Sequence, residues 1–376
     1  MARRQAGFTI IELLVVLFIV GMLAALLLPA LQRARSRARG VECLSKLSNL
    51  GKALLSYETR NRRLPASGYF AGDPDDVASI VPLRGWVVEV LPELEQTELY
   101  ERWDRRAWYF DNQTSQNRSL AAIPLAAVQC PVDHTARPDA PHISYVVNGG
   151  FGKDSFSTRY CPLVQNSAFF LLALDLNGND RVCKQETGWS PRVSFTDADI
   201  ARRTGVFFFA YEKPNGSFEG GAVLLGEIRD GQSQTILVSE NLNGRIFGDV
   251  SGAPYPHSSG WATPGSSTFV AGGYICDHVQ QGMTWIASCA EGRVHYENAN
   301  NPNDYPSSEQ AINGPGIPAR IDSSPWLASG HPGGVNVFMA DGSARFLSED
   351  VDGRVFANMM TPDGTHLPGP LRQGPL

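Results

Sequence analysis

The stretch FTIIELLVVLFIVGMLAALLLPAL, residues 8–31, decides how the rest of this chain is organised. Its residues are apolar or small with two exceptions, Thr9 and Glu12. About 20 apolar residues in an α-helix cross the hydrocarbon core of a bilayer, so this stretch is long enough to span a membrane. Basic residues flank it, with Arg3 and Arg4 before it and Arg33 just after it.

The basic residues before the apolar run favour an N-terminus in the cytoplasm and an exported remainder. A cleaved secretory signal would have a shorter apolar core and a small-residue cleavage site, which is missing before Arg33. An ordinary signal anchor fits the length but leaves Glu12 unexplained, because a carboxylate inside a membrane span is costly. A buried core helix would not need basic residues at both ends. The sequence therefore predicts a functional role and a partner for Glu12.

The segment GFTIIEL, residues 7–13, resembles the processing signature of type IV prepilins and type II secretion pseudopilins. The resemblance implies that a prepilin peptidase cuts between Gly7 and Phe8 and methylates the new amino terminus on Phe8. It also implies a partner for Glu12, the amino terminus of the adjacent pilin-like subunit during assembly. A buried carboxylate that faces an ammonium group is tolerable where a lone one is not.

Short motifs further along the chain occur in a familiar order. They are Cys43-Leu44-Ser45-Lys46-Leu47, Gly85-Trp86, Cys130-Pro131, Ser144-Tyr145, Asp230-Gly231, His331 and Asp341-Gly342. In this order they resemble a large bacterial family of prepilin-like proteins. That family has a C-terminal domain of unknown function with an H-x9-D-G motif described as processing-associated. The resemblance covers essentially the whole chain.

A helical pattern continues beyond the apolar segment. Apolar residues recur at steps of three and four, which predicts an amphipathic helix; they are Leu31, Ala34, Ala38, Val41, Leu44, Leu47, Leu50 and Leu54. We expect the helix to end near Arg60, before Leu64-Pro65. The arginines between residues 33 and 39 are either a solvated face or contacts for lipid head groups and acidic neighbours.

Short aromatic or β-branched runs bounded by Gly, Asn and Asp predict strands and hairpins at residues 142–150, 167–176, 204–211, 221–241 and 334–349. Residues 85–104 predict a short helical pair broken at Pro92. The expected fold is α+β, with a long N-terminal transmembrane-plus-amphipathic helix packed on an antiparallel sheet that carries large loop insertions. This plan resembles that of pilins.

The predicted organisation has four parts. Residues 1–7 are the leader peptide, 8–31 the transmembrane and assembly helix, 32–62 its amphipathic continuation, and 63–376 an exported globular domain of unknown function. The expected location is the inner (cytoplasmic) membrane, with a single pass and the C-terminal domain outside the cytoplasm, or a surface filament after assembly.

A candidate calcium loop begins at Asp175. Oxygen ligands stand at positions 1, 3, 5 and 12 of the calcium-loop template; they are Asp175, Asn177, Asn179 and Glu186. Asp180 occupies the position where the template needs glycine for its sharp turn. The alternative is an Asx-rich hairpin turn that binds no metal. Calcium is the candidate cofactor, and the sequence indicates no other.

The motif His331 to Asp341-Gly342 favours a structural interpretation. Asp341-Gly342 stands between two strand patterns, which predicts a two-residue hairpin turn. His331 precedes the first strand, so contact with Asp341 would need a bend.

Six cysteines in an exported domain can form disulfides, but 15 connectivities are open. The pairs that are close in sequence are Cys161 with Cys183 and Cys276 with Cys289.

The leading hypothesis is a non-enzymatic structural subunit of a pilus or a type II secretion-like pseudopilus. No Walker A, dinucleotide-binding or G-x-S-x-G pattern occurs in the sequence. The net charge of −6 does not indicate a surface that binds nucleic acid. The alternative is a membrane-anchored surface module that binds a glycan, a polymer or a protein, with calcium as a candidate ligand. Its support is the loop-rich region 241–334, which holds Trp261, Trp285 and Trp326.

Overall fold

The structure is a computed structural model that describes residues 10–72, 81–108, 114–133, 143–151, 203, 205–213, 215–240, 268–271, 312–313 and 327–366. The helices in these ranges are α1 (Ile10–Asn61), α2 (Trp86–Glu89), α3 (Thr97–Arg102), α4 (Asn117–Ala121) and α5 (Gly353–Met360). The strands are β1 (Gly68–Ala71), β2 (Val81–Gly85), β3 (Tyr145–Phe151), β4 (Phe209–Glu212), β5 (Phe218–Gly220), β6 (Ile236–Glu240), β7 (Thr268–Ala271), β8 (Gly334–Met339) and β9 (Ala344–Ser348).

Helix α1 runs for 52 residues and contains Pro29. It ends where Arg62 takes a left-handed conformation, with a φ of 59°. The Arg62 N–H donates to the Glu58 carbonyl at 2.6 Å, which satisfies one of the last carbonyls of the helix. The predicted end near Arg60 is confirmed.

Only the second part of α1 is packed against the body. From Ile10 to Arg39 the described side chains are exposed, and burial begins at Cys43. The buried face consists of Cys43, Leu47, Leu50, Leu54 and Tyr57, which follow steps of three and four residues. The predicted apolar face is therefore correct from Leu47 onward.

The earlier part of that predicted face was wrong. Val41 is 68% exposed, and Leu31, Ala34 and Ala38 are also exposed. The physical reason is length, because α1 extends beyond the body and none of the described residues buries it before Cys43.

A five-stranded sheet in the order β7-β3-β6-β8-β9 supports this part of α1. The helix lies against β6, β8 and β9. All residues of β6 and β8 are buried, as expected for strands in the middle of a covered sheet. Gly51 of α1 packs directly on the ring of Phe338 in β8, leaving no room for a Cβ atom.

A second, four-stranded sheet has the order β2-β1-β4-β5. The guanidinium carbon of Arg84 on β2 lies 4.2 Å from the ring centre of Tyr69 and 5.2 Å from that of Phe218. Arg84 also forms a buried ion pair with Glu89 of α2. This arrangement links the second sheet to the helical segment that follows it.

The α+β prediction of a long helix packed on an antiparallel sheet is confirmed, with two differences in detail. The described residues form two sheets, and each of these contains one parallel pairing, β1 with β4 and β3 with β7. Parallel neighbours need a long crossover connection, and more than a hundred residues separate the members of each pair. Local strand patterns carry no information about such distant pairings.

The individual predictions had mixed outcomes. The helical pair at residues 85–104 is confirmed, with the 3-10 turn Pro92–Leu94 between α2 and α3. The run at 221–241 forms only one strand, β6, because residues Leu225–Glu227 form a 3-10 turn instead. There the Leu224 N–H donates to the Glu227 carboxylate at 2.9 Å, so the backbone is satisfied locally. The run at 167–176 lies outside the described residues.

The contact between Gly51 and Phe338 gives a stability prediction. A methyl group in Gly51→Ala would overlap a fully buried ring, so we expect the free energy of unfolding to fall by about 1–3 kcal/mol. The matched control is Gly226→Ala, because no atom lies within 4 Å of a Cβ atom at Gly226. Denaturant unfolding of both variants measures the difference, and equal midpoints would contradict the close packing of α1 on β8.

The Tyr57–Glu89 contact gives a pH prediction. The Tyr57 hydroxyl donates to the Glu89 carboxylate at 3.3 Å. Burial raises the pKa of Tyr57 from 10.0 to about 12, and the negative charge of Glu89 adds to the effect. Because the folded state holds this proton more tightly, the stabilisation is complete below pH 10 and is lost as the pH rises to about 12.

A pKa difference of two units lowers the free energy of unfolding by about 2–3 kcal/mol across this alkaline range. Tyr57→Phe has no such proton, so its free energy of unfolding should fall less steeply than that of the wild type. Denaturant unfolding at several pH values measures both slopes. Parallel curves for the two proteins would show that Tyr57 is not the group responsible.

Candidate functional site

The exposed segment of α1 is the first candidate site. By length and composition, α1 is long and apolar enough in this segment to cross a membrane. None of its most apolar stretch is buried against the body. Glu12 lies in the first described turn of α1. Gly7 and Phe8 lie outside the described residues, so cleavage and methylation there stay predictions.

The second candidate site is a buried cluster where α1 meets the body. A disulfide joins Cys43 on α1 to Cys130, across a sequence separation of 87 residues, with the two Cα atoms 5.2 Å apart. Both cysteines are buried. The sequence left the pairing open, and the other four cysteines, Cys161, Cys183, Cys276 and Cys289, lie outside the described residues.

His331 lies against this disulfide. Its Nε2 atom is 3.7 Å from the Cys130 sulfur and 3.1 Å from a carboxylate oxygen of Glu240. Glu240, at the end of β6, is 1% exposed. Its carboxylate also accepts from the Asn336 backbone N–H at 2.9 Å and from the Asn336 side-chain amide at 3.0 Å. The histidine and two N–H groups of β8 therefore surround one buried carboxylate.

Hydrogen bonds hold both cysteines in place. The Tyr145 hydroxyl donates to the Cys43 carbonyl at 3.1 Å. Burial, together with the negative charge of Glu240, raises the pKa of Tyr145 well above its ordinary value, so the hydroxyl keeps its proton. The Cys130 N–H donates to the Ser144 hydroxyl at 3.1 Å, and this hydroxyl donates to Asp133 at 2.6 Å.

The turn before β8 positions His331. The Asn313 side-chain amide donates to the carbonyls of His331 and Gly334, at 3.2 and 3.0 Å. The His331 N–H donates to the Ser329 hydroxyl at 3.0 Å. Gly330 packs so tightly on the Val132 carbonyl that a Cβ atom would not fit. These contacts join the histidine turn to the segment that carries Cys130.

Asp341 and Gly342 lie at the other end of β8, in the turn to β9. The loop consists of three residues, Ala340 to Gly342, so the predicted two-residue turn was wrong. The physical reason is that only Gly342 has a positive φ, 90°, whereas a type I′ turn needs two such residues. Asp341 accepts hydrogen bonds from the Ser343 N–H and hydroxyl, which lower the pKa of its carboxyl group.

The structure thus brings together residues that the sequence treated separately, and it adds one that the sequence missed. Cys43, Cys130 and His331 came from three different motifs, and Glu240 was not singled out. The available signal was a carboxylate at the end of the apolar run Ile236–Glu240. The candidate calcium ligands Asp175, Asn177, Asn179 and Glu186 lie outside the described residues, as do Trp261, Trp285 and Trp326. Calcium binding stays a prediction.

Comparison with known proteins gives two family matches. Residues 2–28 match the family described as prokaryotic N-terminal methylation motif, and residues 32–354 match the family described as protein of unknown function (DUF1559). These matches confirm the resemblance to prepilin-like proteins that residues 7–13 and the later motifs predicted. No solved structure matches the chain.

Several curated proteins are similar to part of the chain. The type II secretion system core protein G of Aeromonas hydrophila is 38% identical over 65 residues, which is 17% of this chain and 46% of that protein. A fimbrial protein of Neisseria meningitidis serogroup A is 36% identical over 85 residues, 23% of this chain and 48% of that protein. The type IV major pilin protein PilE1 of Neisseria gonorrhoeae is 37% identical over 76 residues, which is 19% of this chain and 46% of that protein. The chain spans about half the length of these relatives.

The disulfide gives a prediction for this site. Because it closes a long loop, replacing both cysteines in Cys43→Ser/Cys130→Ser should lower the free energy of unfolding by about 2–5 kcal/mol. Denaturant unfolding measures this loss, and the single variant Cys130→Ser is the control that should lose a similar amount. An unreduced peptide map should contain the Cys43 and Cys130 peptides linked to each other. A map in which either cysteine is linked elsewhere would contradict the pairing.

Proposed function

The chain belongs to the family described as protein of unknown function (DUF1559), and from that premise we propose that it is a membrane-anchored structural subunit that assembles through α1. The N-terminal methylation motif at residues 2–28 supports this proposal. So do the partial similarities to a fimbrial protein, a type IV major pilin and a type II secretion core protein.

The observation that carries the proposal is the division of α1 into two halves. The large exposed apolar side chains of the described residues are concentrated between Ile10 and Leu31. A soluble monomer does not expose an apolar surface of this extent, which supports a covering of lipid or of neighbouring subunits. The hydrocarbon of a bilayer fits its length, and the same apolar segment of neighbouring subunits would give it a similarly apolar environment.

In this proposal the apolar segment of α1 is surrounded first by lipid and later by neighbouring subunits. The prepilin peptidase removes residues 1–7 and methylates Phe8 while the segment is in the membrane. On assembly, neighbouring helices replace lipid around the same side chains. Glu12 then faces the amino terminus of an adjacent subunit, which offsets the cost of a carboxylate among apolar side chains.

The basic residues beyond the span would stay at the membrane surface. Arg35, Arg37 and Arg39 are exposed on α1, between the apolar segment and the first buried residue, Cys43. Their long side chains can reach phosphate head groups while α1 is in the bilayer. The body, held on residues 43–61 of α1, would be carried outside the cytoplasm and would take part in no reaction of its own.

The processing step gives a direct prediction. In cells that contain a prepilin peptidase, we expect the wild-type chain to lose residues 1–7 and gain one methyl group on Phe8. Gly7→Ala should block the cut, because the peptidase reads the glycine before it in this class of signal. Ala6→Ser is the matched control and should still be processed.

Intact-mass measurement and N-terminal sequencing of the membrane fraction distinguish these outcomes. If the wild type keeps residues 1–7, or if Gly7→Ala is cut and methylated as completely as the wild type, the proposed processing at Gly7 is wrong.

A further inference from the structure

The buried cluster around the disulfide has the composition of a metal site. One ligand atom each from Cys43, Cys130, Glu240 and His331 lies within 4.8 Å of the others, and all four residues are buried. We propose that, when the Cys43–Cys130 disulfide is reduced, these four side chains bind one Zn²⁺ ion. The metal then takes the place of the disulfide as the link between α1 and the body.

Two of the contacts are already close to the lengths that tetrahedral zinc requires. With Zn–N and Zn–O bonds of about 2.1 Å and Zn–S bonds of about 2.3 Å, neighbouring N and O ligands stand about 3.4 Å apart and N and S ligands about 3.6 Å. The His331 Nε2 atom is 3.1 Å from the Glu240 oxygen and 3.7 Å from the Cys130 sulfur. Each of these two edges of the tetrahedron therefore has to change by only a few tenths of an ångström.

The sulfur–sulfur edge is the one that must change. Two thiolates on one zinc ion lie about 3.8 Å apart, so reduction must let the sulfurs separate. The Cα atoms are 5.2 Å apart, which leaves room for this through rotation of the two side chains. The backbone of both cysteines is already held by Tyr145 and Ser144.

The groups around the ligands suit a metal site. Asn336 donates two hydrogen bonds to the Glu240 carboxylate, and such contacts orient a ligand before the metal binds. His331 is fixed through its own backbone by Ser329 and Asn313. Two thiolates, one imidazole and one carboxylate in a closed, buried position favour zinc over calcium or magnesium, which prefer oxygen ligands only.

The two states are exchanged by an ordinary thiol–disulfide reaction. A dithiol reductant donates two electrons and two protons, which break the Cys43–Cys130 bond and give two thiols, while the dithiol becomes a disulfide. Binding of Zn²⁺ displaces those two protons and gives two thiolates. In reverse, a disulfide oxidant takes two electrons from the thiolates and two protons from water, and leaves as two thiols. The Cys43–Cys130 bond forms and Zn²⁺ is released.

The test uses the full chain in detergent, with Cys161, Cys183, Cys276 and Cys289 replaced by serine so that only two cysteines remain. The probe is Zn²⁺ alone, titrated in competition with a chromophoric chelator. We expect the reduced protein to bind one Zn²⁺ ion at least about 100-fold more tightly than the oxidised protein. Zinc should also raise the melting temperature of the reduced protein and leave that of the oxidised protein unchanged.

Variants assign the ligands. Within the two-cysteine chain, His331→Ala and Glu240→Gln should each weaken zinc binding at least about tenfold. His366→Ala is the matched control, because His366 is exposed, contacts Asp363 and is not one of the four proposed ligands. Co²⁺ in place of Zn²⁺ should give the thiolate charge-transfer band and tetrahedral spectrum of a site with two sulfurs.

A measurement on the six-cysteine chain keeps the proposal testable if the serine replacements prevent folding. In the reduced state, Cys43→Ser/Cys130→Ser should bind one Zn²⁺ ion fewer than the wild type. The proposal is overturned if this number is unchanged, if oxidised and reduced proteins bind zinc equally, or if His331→Ala binds as tightly as the His366→Ala control.

Discussion

The packing of α1 on the five-stranded sheet is the interaction on which the other features depend. Leu47, Leu50 and Leu54 present the buried face, and Gly51 allows the helix backbone to approach Phe338 of β8. This close approach fixes α1 against the body from Cys43 onward. Within the part of the chain that the structure describes, the side chains of α1 from Ile10 to Arg39 are exposed. The same helix is therefore a core element at one end and an exposed apolar rod at the other.

The buried cluster reinforces this junction at the place where α1 leaves the body. Cys43 is the first buried residue of α1, and its disulfide to Cys130 ties the helix to the segment that precedes β3. His331 and Glu240 bring the ends of β6 and β8 to the same point. Force applied to the exposed half of α1, in a membrane or in an assembly, would be passed to the sheet through these contacts.

Local patterns in the sequence predicted the features that depend on neighbouring residues. The apolar run to Leu31, the helix end near Arg60 and the hairpin around Asp341 all follow from composition and turn chemistry. The parallel pairings of β1 with β4 and β3 with β7, the partner of Cys43 and the role of Glu240 did not. Each depends on contact between residues about ninety or more positions apart, and a single sequence carries no pattern for such contacts.

The central claim is that neighbouring subunits cover the apolar half of α1 once it leaves the bilayer. The most direct measurement is shearing of intact cells that overproduce the chain, followed by mass spectrometry of the sheared filaments and of the membranes. The account predicts the mature chain, beginning at Phe8, within filaments that resist dilution. A chain found only in the membrane fraction, as a detergent-soluble monomer with no neighbouring subunit, would contradict it.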